Sequence, residues 1–193
     1  IMSVLAQKNI LIGVSGGIAA YKIPLLIRQL VKLNSNVKVV MTPSSKDFVT
    51  PLTLSTVSKN EVLSEFTTDK NSNPTWNNHV ELAEWADIFI IAPATSNTIS
   101  SMSSARCDNL LLACYLSSTC PVFVAPAMDL EMYKNTLNQK NIKKLINNNT
   151  NVLPVGNGSL ASGLKGEGRM LEPVEIIEYV ENNFEMSNYY KGN

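Results

Sequence analysis

The chain has 193 residues, of which 45% are hydrophobic and 17% are charged. This composition is typical of a globular domain with a substantial core. The formal net charge is zero, which gives no electrostatic basis for binding nucleic acid or a membrane surface. No apolar run approaches the ~20 residues that cross a bilayer.

The cysteine pattern indicates neither a metal site nor a disulfide framework. Cys107, Cys114 and Cys120 form no C-x-x-C pair and no zinc-type spacing. An odd number of cysteines without a framework predicts a reducing compartment, the cytoplasm. The first residues also lack the long apolar core of a signal peptide. We expect the three thiols to be inert core side chains.

Short apolar runs alternate with helical patterns along the chain. The predicted strands cover 9–14, 37–41, 88–92, 121–125 and 152–155. The predicted helices cover 18–33, a segment from Thr53, 108–117, 137–146 and 173–182. The first strand, helix and second strand form a right-handed parallel unit. The pattern predicts a doubly wound, Rossmann- or flavodoxin-like α/β fold, with a parallel sheet and helices on both faces.

Three segments predict irregular structure. Residues 71–78 are rich in Asn and Pro and predict an exposed loop. Residues 156–169 contain five glycines and predict a mobile loop or hairpin that serves as a lid. Residues 186–193 are polar and predict a frayed end. We therefore expect one domain over 8–184, followed by a polar tail over 185–193.

The turn Ser15-Gly16-Gly17 follows the first strand and precedes the first helix. Backbone N–H groups at such a place bind phosphate, and glycine allows close approach; a plain packing turn is the alternative. The dinucleotide pattern G-x-G-x-x-G fails because position 15 is Ser. Residues 13–17 do match the nucleophile-elbow pattern G-x-S-x-G. That reaction needs a histidine late in the chain, and the only histidine is His79.

Two further turns carry polar side chains at predicted strand ends. Hydroxyls of Thr42 and Ser44 can bond a phosphate or a flavin ribityl chain, or simply cap the next segment. Asn97 and Thr98 can bond the edge of a heterocycle, while Ser96 or Asn97 can equally cap a helix. Ligands of open α/β sheets bind beyond these strand ends.

His79 lies at the start of a short predicted helix before the third strand. A neutral imidazole is the usual general base near pH 7, although a lone histidine is often structural. Its position close to the 93–98 turn favours the catalytic interpretation. A second polar turn, 126–132, follows the fourth strand.

Taken together, these residues resemble one family, the homo-oligomeric flavin-containing cysteine decarboxylases. Six segments match in family order over about residues 8–184. They are 15–20, His79, 93–98, 107–111, 126–132 and 163–170. Each segment is weakly informative alone, but six in register are specific.

The resemblance implies a single FMN-binding decarboxylase domain. FMN would contact Ser15, Gly16, Gly17, Thr42, Ser44, Ser96, Asn97 and Thr98. His79 would lie against the flavin as the catalytic histidine, and 156–169 would be a substrate clamp. The substrate would contact Asn109, Ala127, Met128, Met132 and Gly163. The implied reaction is FMN-dependent decarboxylation of 4′-phosphopantothenoylcysteine to 4′-phosphopantetheine in coenzyme A synthesis.

Two positions depart from the common family pattern. Asp129 stands where Asn is usual, so an ionised carboxylate would face the substrate carboxylate unless it is protonated or accepts from the substrate amide. Ser162 stands where the clamp has a cysteine that donates a proton in the last reduction. Serine is a far weaker acid. Both residues nevertheless occupy positions that the resemblance implies to be catalytic.

The resemblance also implies partners and leaves alternatives. It implies a trimer or dodecamer with FMN at subunit contacts, and a phosphopantothenate–cysteine ligase domain, fused or separate, with 185–193 as a possible linker. One alternative is a peptidyl-cysteine decarboxylase of the same fold. Another is a non-catalytic FMN-binding regulatory subunit, which Asp129 and Ser162 would favour.

Overall fold

A computed structural model of the protein describes residues 2–70 and 73–189. Its strands are β1 (Asn9–Val14), β2 (Asn36–Met41), β3 (Val62–Leu63), β4 (Thr67–Lys70), β5 (Asn73–Trp76), β6 (Ile88–Ala94), β7 (Val122–Pro126), β8 (Asn151–Val152), β9 (Gly156–Ser159) and β10 (Lys165–Arg169). Its α-helices are α1 (Ile23–Lys32), α2 (Pro51–Ser58), α3 (His79–Trp85), α4 (Ser96–Ser103), α5 (Leu110–Ser117), α6 (Leu130–Lys134), α7 (Thr136–Asn147) and α8 (Pro173–Tyr189).

Six of the strands form one sheet in the order β3-β2-β1-β6-β7-β8. Every pairing within this sheet is parallel. Along the chain, the strands are added from β1 through β2 to β3 at one edge of the sheet, and from β6 through β7 to β8 at the other edge. The carboxyl ends of β1 and β6 therefore frame the topological switch point, where ligands of such sheets bind. The predicted doubly wound fold is confirmed.

The sheet is covered on both faces, which explains its continuous apolar strands. Alternate residues of β1 point to opposite faces. Ile10 and Ile12 join a core built with α1, α2 and α8, while Leu11 joins a core built with α4, α5 and α7. Every residue of β6 and β7 is buried. These strands form a rigid base below the turns that follow them.

The first predicted helix is two helices. A 3₁₀ helix covers Ile18–Lys22, and α1 begins at Ile23. Pro24 lies in the first turn of α1, where its missing N–H leaves no hydrogen bond unmade. Proline within a continuous helix over 18–33 would have removed an internal bond.

The predicted loop over 71–78 is wrong for residues 73–76. Asn73–Trp76 forms β5, which pairs antiparallel with β4. The side-chain amide of Asn77 donates to the carbonyl of Glu65 and to Oγ1 of Thr68, both at 2.7 Å. These contacts stabilise the β4–β5 hairpin. Its residues are mostly polar and give no alternating apolar pattern, so the sequence does not predict its strands. Residues 71 and 72 lie outside the described residues.

Other boundaries differ at proline and capping residues. The predicted helix over 108–117 begins at Leu110 because the Asn109 side chain accepts from the backbone N–H of Leu112 at 3.0 Å. β8 ends at Val152, close to Pro154, which cannot donate to a ladder. The segment 156–169 is a hairpin of β9 and β10, one of the two predicted alternatives.

Both ends of the predicted domain differ from the structure. Leu5 is fully buried in the core, so packing begins before residue 8. The helix predicted over 173–182 continues as α8 to Tyr189, so 186–189 are not frayed; residues 190–193 lie outside the described residues. The structure also contains β3 and α6, which were not predicted, and α2 begins at Pro51 rather than Thr53. The helix that Ser96 or Asn97 could cap is present as α4, and its cap is Thr95.

Within the described ranges, no helix combines the length and apolar content needed to cross a bilayer.

Substitution of Phe123 tests the core below the site. Phe123 is fully buried and meets the Tyr179 ring edge-on at 6.5 Å. We expect Phe123→Ala to lower the free energy of unfolding by about 3–5 kcal/mol because the cavity cannot fully collapse. Leu137→Ala, at a side chain that is 66% exposed, is the control and should cost less than about 0.5 kcal/mol. Urea unfolding at equal protein concentration measures both, and equal losses would contradict this packing.

Candidate active site

Ser15 joins the turns that follow β1 and β6. Its hydroxyl donates to the carbonyl of Pro93 and accepts from the backbone N–H of Thr95 at 3.1 Å. Its own N–H also donates to the Pro93 carbonyl. Ser15 is fully buried and does not line the cleft described below. It therefore fixes the distance between two strand ends across the switch point.

The glycine turn is in close contact with its two neighbouring turns. A Cβ atom at Gly16 would lie 2.5 Å from Oγ of Ser44, and one at Gly17 would lie 3.2 Å from Cγ2 of Thr95. The hydroxyls of Thr42 and Ser44 are hydrogen-bonded to each other at 3.2 Å. Glycine at position 16 is thus required for the turn after β2 to approach the turn after β1.

A cleft of about 700 Å³ opens above these turns. Its walls come from the glycine turn, the turns after β6 and β7, and the β9–β10 hairpin. The predicted site residues that line it are Gly16, Gly17, Ser96, Asn97, Ala127, Met128, Asp129 and Met132. The size is that of a cofactor site, and the mixed apolar and polar lining suits a flat heterocycle.

Several predicted site residues lie outside this cleft. Thr42, Ser44 and Thr98 do not line it, although Thr42 and Ser44 lie behind the glycine turn. Thr98 is buried, and its N–H donates to Thr95 Oγ1 at 3.3 Å. Asn109 caps α5. Ser162 and Gly163 lie at the exposed tip of the hairpin, beyond the cleft-lining residues Ser159, Leu160 and Ala161.

The turn after β7 is held from both sides. The N–H of Ala127 donates to the carbonyl of Ala94, and the N–H of Met128 donates to the carbonyl of Gly168, both at 3.0 Å. Asp129 then caps α6, its Oδ1 accepting from the N–H of Leu130 at 2.8 Å. Asp and Asn are about equally good caps, so the local fold tolerates the acidic residue that departs from the family pattern.

Asn138 connects the turns after β6 and β7. This buried α7 side chain accepts from the Ser96 hydroxyl and donates to the Met132 carbonyl, both at 2.7 Å. It was missed because asparagine is abundant throughout this chain and its position shows no local motif. Its place on the buried face of the helix predicted over 137–146 was the only signal that could have indicated this role.

Other cleft-lining residues were not predicted as site residues, among them Lys22, Arg169 and Met170. The Lys22 ammonium is buried and bonds the Glu172 carboxylate at 2.7 Å. This bond, more than the charges of Lys22 and Arg169, holds the pKa of the Glu172 carboxyl below its usual range. The carboxylate is therefore ionised at neutral pH and neutralises charge at the cleft wall.

The hairpin rests directly on the turn after β7. Gly168 has φ +130°, and a Cβ there would lie 2.3 Å from the Met128 carbonyl oxygen. No side chain fits between these two backbones. Strand β10 is therefore seated on the cleft wall, while the hairpin tip extends into solvent.

His79 is absent from the cleft lining. From the first residue of α3, its ring packs edge-on against Phe66, which precedes β4, at 6.5 Å and against Trp76 of β5 at 6.1 Å. Its Nδ1 is buried with no hydrogen-bond partner among the described residues. A buried nitrogen without a partner costs free energy unless another molecule supplies one.

No group of three or more His, Cys, Asp or Glu side chains that could hold a metal ion occurs in the part of the chain that the structure describes.

Sequence comparison places this chain among flavin proteins. A family model described as Flavoprotein matches residues 3–185. The chain is 43% identical over 183 residues to the coenzyme A biosynthesis bifunctional protein CoaBC of Vibrio cholerae serotype O1, covering 95% of this chain and 45% of that protein. It is 48% identical over 132 residues to a cysteine/cysteine sulfinic acid decarboxylase of an unknown prokaryotic organism, covering 68% and 36%. The chain thus spans less than half the length of these relatives.

Solved structures give the same result over nearly whole chains. A PPC decarboxylase mutant complexed with pantothenoylaminoethenethiol has a TM-score of 0.80 and 32% identity, covering 93% of this chain and 99% of the other. The FMN-binding protein AtHal3 has a TM-score of 0.77 and 32% identity, covering 93% and 98%. With its doubly wound sheet and its cleft at the switch point, this chain belongs to the Flavoprotein family. The predicted resemblance is confirmed at that level.

Thiol labelling tests the environment around α5. The prediction of three core thiols is wrong for Cys107, which is exposed, whereas Cys114 and Cys120 are buried. Burial, helped by the nearby Cys107 thiol, raises the pKa of Cys114 to about 12. Because the thiolate is the reactive form, iodoacetamide at pH 8 should modify Cys107 rapidly and leave the other two intact until urea is added. Cys107→Ser should abolish the rapid phase, and rapid labelling of Cys114 in the folded protein would contradict this burial.

Proposed function

We propose that this chain binds FMN in the cleft and decarboxylates 4′-phosphopantothenoylcysteine (PPC) to 4′-phosphopantetheine, a step in coenzyme A synthesis. The proposal depends on one observation. The glycine turn (residues 15–17) and the turns after β6 and β7 line a single cleft at the switch point. The similarity of this chain to a PPC decarboxylase and to the CoaBC proteins of coenzyme A biosynthesis supports the same reaction.

The residues around the glycine turn fit FMN. Gly16 and Gly17 leave backbone exposed to the cleft at the beginning of the first helix, where a phosphate is bound well. Ser96 and Asn97 offer polar groups to a heterocycle edge, and Ala19, Ala127 and Met128 offer apolar surface. When bound, FMN supplies the reversible oxidation of the substrate thiol. We assign Ser15, Thr42, Ser44 and Thr98 to positioning these turns.

The turn after β7 would hold the substrate. Oδ1 of Asp129 already accepts from the N–H of Leu130, so Oδ2 is the oxygen we assign to the substrate amide N–H. An amide donor avoids the like-charge contact that the substrate carboxylate would make. Ala127, Met128 and Met132 would contact the pantothenoyl arm. Contacts from Asn109 and Gly163, and a catalytic role for Ser162, stay predictions.

We propose further that the active site is completed by a second subunit. His79 lies outside the cleft of its own chain, and its buried Nδ1 has no partner within the described residues. Exposed apolar side chains occur beside the cleft, at Ile18 and Tyr21, and beside His79, at Trp76 and Val80. A trimer-based homo-oligomer would bury both patches and bring His79 to a neighbouring cleft. We place the protein in the cytoplasm, with a ligase domain as a fused or separate partner.

Free cysteine or cysteine sulfinate is the second candidate substrate. The relative with 48% identity is named for that activity. A peptide ending in cysteine is a third substrate of the same chemistry. The three substrates share the reacting cysteine. They differ in the group attached to that cysteine, which the cleft must accommodate.

Anaerobic mixing of the purified flavin-loaded protein with each substrate tests the function. Mass spectrometry should show loss of CO2 from PPC, giving 4′-phosphopantetheine. Preferential turnover of free cysteine or of the peptide would replace the proposed substrate. Bound FMN with no turnover of any substrate would support a non-catalytic subunit. A decarboxylated but oxidised thiol with bleached flavin would mean that Ser162 does not support the last reduction.

Gly16→Ala tests where the cofactor binds. The added methyl would meet Ser44 and displace the turn, at a cost of about 1–3 kcal/mol. We expect FMN affinity to fall by ~5–150-fold, measured by flavin fluorescence titration. Gly156→Ala is the control, since its Cβ would lie an ordinary 3.6 Å from the Arg169 carbonyl oxygen. Equal affinity in the two variants would exclude FMN from the glycine turn.

His79→Asn tests catalysis and subunit sharing together. Alone it should keep FMN and lose ~10²–10⁴-fold in kcat, the usual contribution of a proton-transferring side chain. Co-expressed with Gly16→Ala subunits, it should regain activity, because an intact cleft then meets an intact His79 from the other subunit. Activity no greater than the sum of the separate variants, or a monomer in light scattering, would contradict the shared site. Unchanged kcat in His79→Asn would remove His79 from catalysis.

A further inference from the structure

One carboxylate oxygen joins two cations at the wall of the cleft. Oε1 of Glu172 accepts from Nζ of Lys22 at 2.7 Å and from Nη2 of Arg169 at 2.8 Å. The Lys22 ammonium also donates to the Met170 carbonyl at 3.4 Å. We name this cluster, formed by Lys22, Arg169 and Glu172, the Glu172 bridge.

The Glu172 bridge connects three separate parts of the fold. Lys22 ends the 3₁₀ helix that follows the glycine turn, and Arg169 ends β10 of the hairpin. Glu172 directly precedes α8, where its N–H donates to the Glu175 carboxylate at 2.7 Å in the manner of a capping box. Ile176 of the same helix is fully buried in the core. The carboxylate is thus anchored to a rigid helix.

Charge makes the bridge more than a surface ion pair. Lys22 is only 6% exposed, so its charge is largely removed from water. Removing the partner of a buried charge is far more damaging than losing an exposed pair. Without the carboxylate, Lys22 and Arg169 would be two neighbouring cations with no shared anion. Arg169, and with it the end of β10, would also lose its ionic contact with the residue that precedes α8.

Apart from the Glu172 bridge, the hairpin is attached to α6, to the turn after β7 and, through the buried Met170, to the core. The Met128 N–H bonds the Gly168 carbonyl, and Gly166 approaches the Leu130 side chain. Residues 161–165 at the tip are exposed. The Glu172 bridge lies at the base of β10 and is its one ionic attachment to the beginning of α8 among the described residues.

We propose that Glu172 is a positioning residue that keeps the hairpin seated over the cleft by holding Arg169 and Lys22 together. It touches neither cofactor nor reacting atoms. The inference rests on the proposed function only in taking the cleft as the substrate site. Its consequence is a coupling between the glycine turn and the hairpin, because Lys22 belongs to one and Arg169 to the other.

Limited trypsin digestion of the full-length, flavin-loaded protein tests the attachment directly. Lys165 and Arg169 are trypsin sites on β10 itself. Glu172→Gln should accelerate cleavage after these residues by about tenfold or more, since cleavage follows the population of the opened hairpin. Glu178→Gln is the matched control, with the same charge change at an exposed position of α8. Equal cleavage rates in the two variants would overturn the proposal.

Kinetics supply the second readout. Glu172→Gln should raise KM by about tenfold because a loosened hairpin weakens substrate binding, and it should change kcat by less than it changes KM. A drop in kcat with unchanged KM would overturn the positioning role. If no substrate is decarboxylated even by the unsubstituted protein, the proposed function fails, while the trypsin result still decides the role of the bridge.

A second variant guards against misfolding of the first. Lys22→Met combined with Glu172→Gln removes the buried cation together with its partner, which is tolerated better than an unpaired charge. This double variant should regain the thermal stability of the unsubstituted protein but keep the rapid cleavage of β10. Slow cleavage in the double variant would show that the bridge does not hold the hairpin, and would overturn the proposal.

Discussion

The hydrogen bonds of Ser15 are the constraint on which the cleft depends. They join Ser15, the first residue after β1, to Pro93 and Thr95 at the end of β6. The two strands are neighbours in the sheet, and the chain continues from them toward opposite edges of the sheet. A crevice opens where the two connections separate, and the hydrogen bonds of Ser15 set the width of that crevice. The glycine turn, the turn after β6 and, through the Ala127–Ala94 bond, the turn after β7 are then placed by rigid buried strands.

Close approach of backbones explains where glycine is required. Gly16 lets the turn after β2 approach, and Gly168 lets the hairpin lie on the turn after β7. At both places a methyl group would separate two walls of the same cleft. The glycine content of these segments therefore serves contact between segments.

Charge is arranged unevenly around the cleft. Lys22 and Arg169 lie on its wall, and Glu172 neutralises part of their charge from α8 behind it. Asp129 faces the same space from the turn after β7. His79, held by Phe66 and Trp76 elsewhere on the chain, is consistent with a site shared between subunits.

The sequence by itself determined the doubly wound sheet, the turns at the carboxyl ends of β1, β6 and β7, and the residues of those turns that line the cleft. These features are local: burial on two faces produces continuous apolar runs, and each turn follows its strand directly. Tertiary structure alone decided the roles of Asn138 and Glu172, the β4–β5 hairpin, and the separation of His79 from its own cleft. The bonds of Lys22 to Glu172 and of Ser96 to Asn138 join residues 150 and 42 positions apart. Such partners are set by how helices pack across the sheet, and no local pattern of residues encodes that packing.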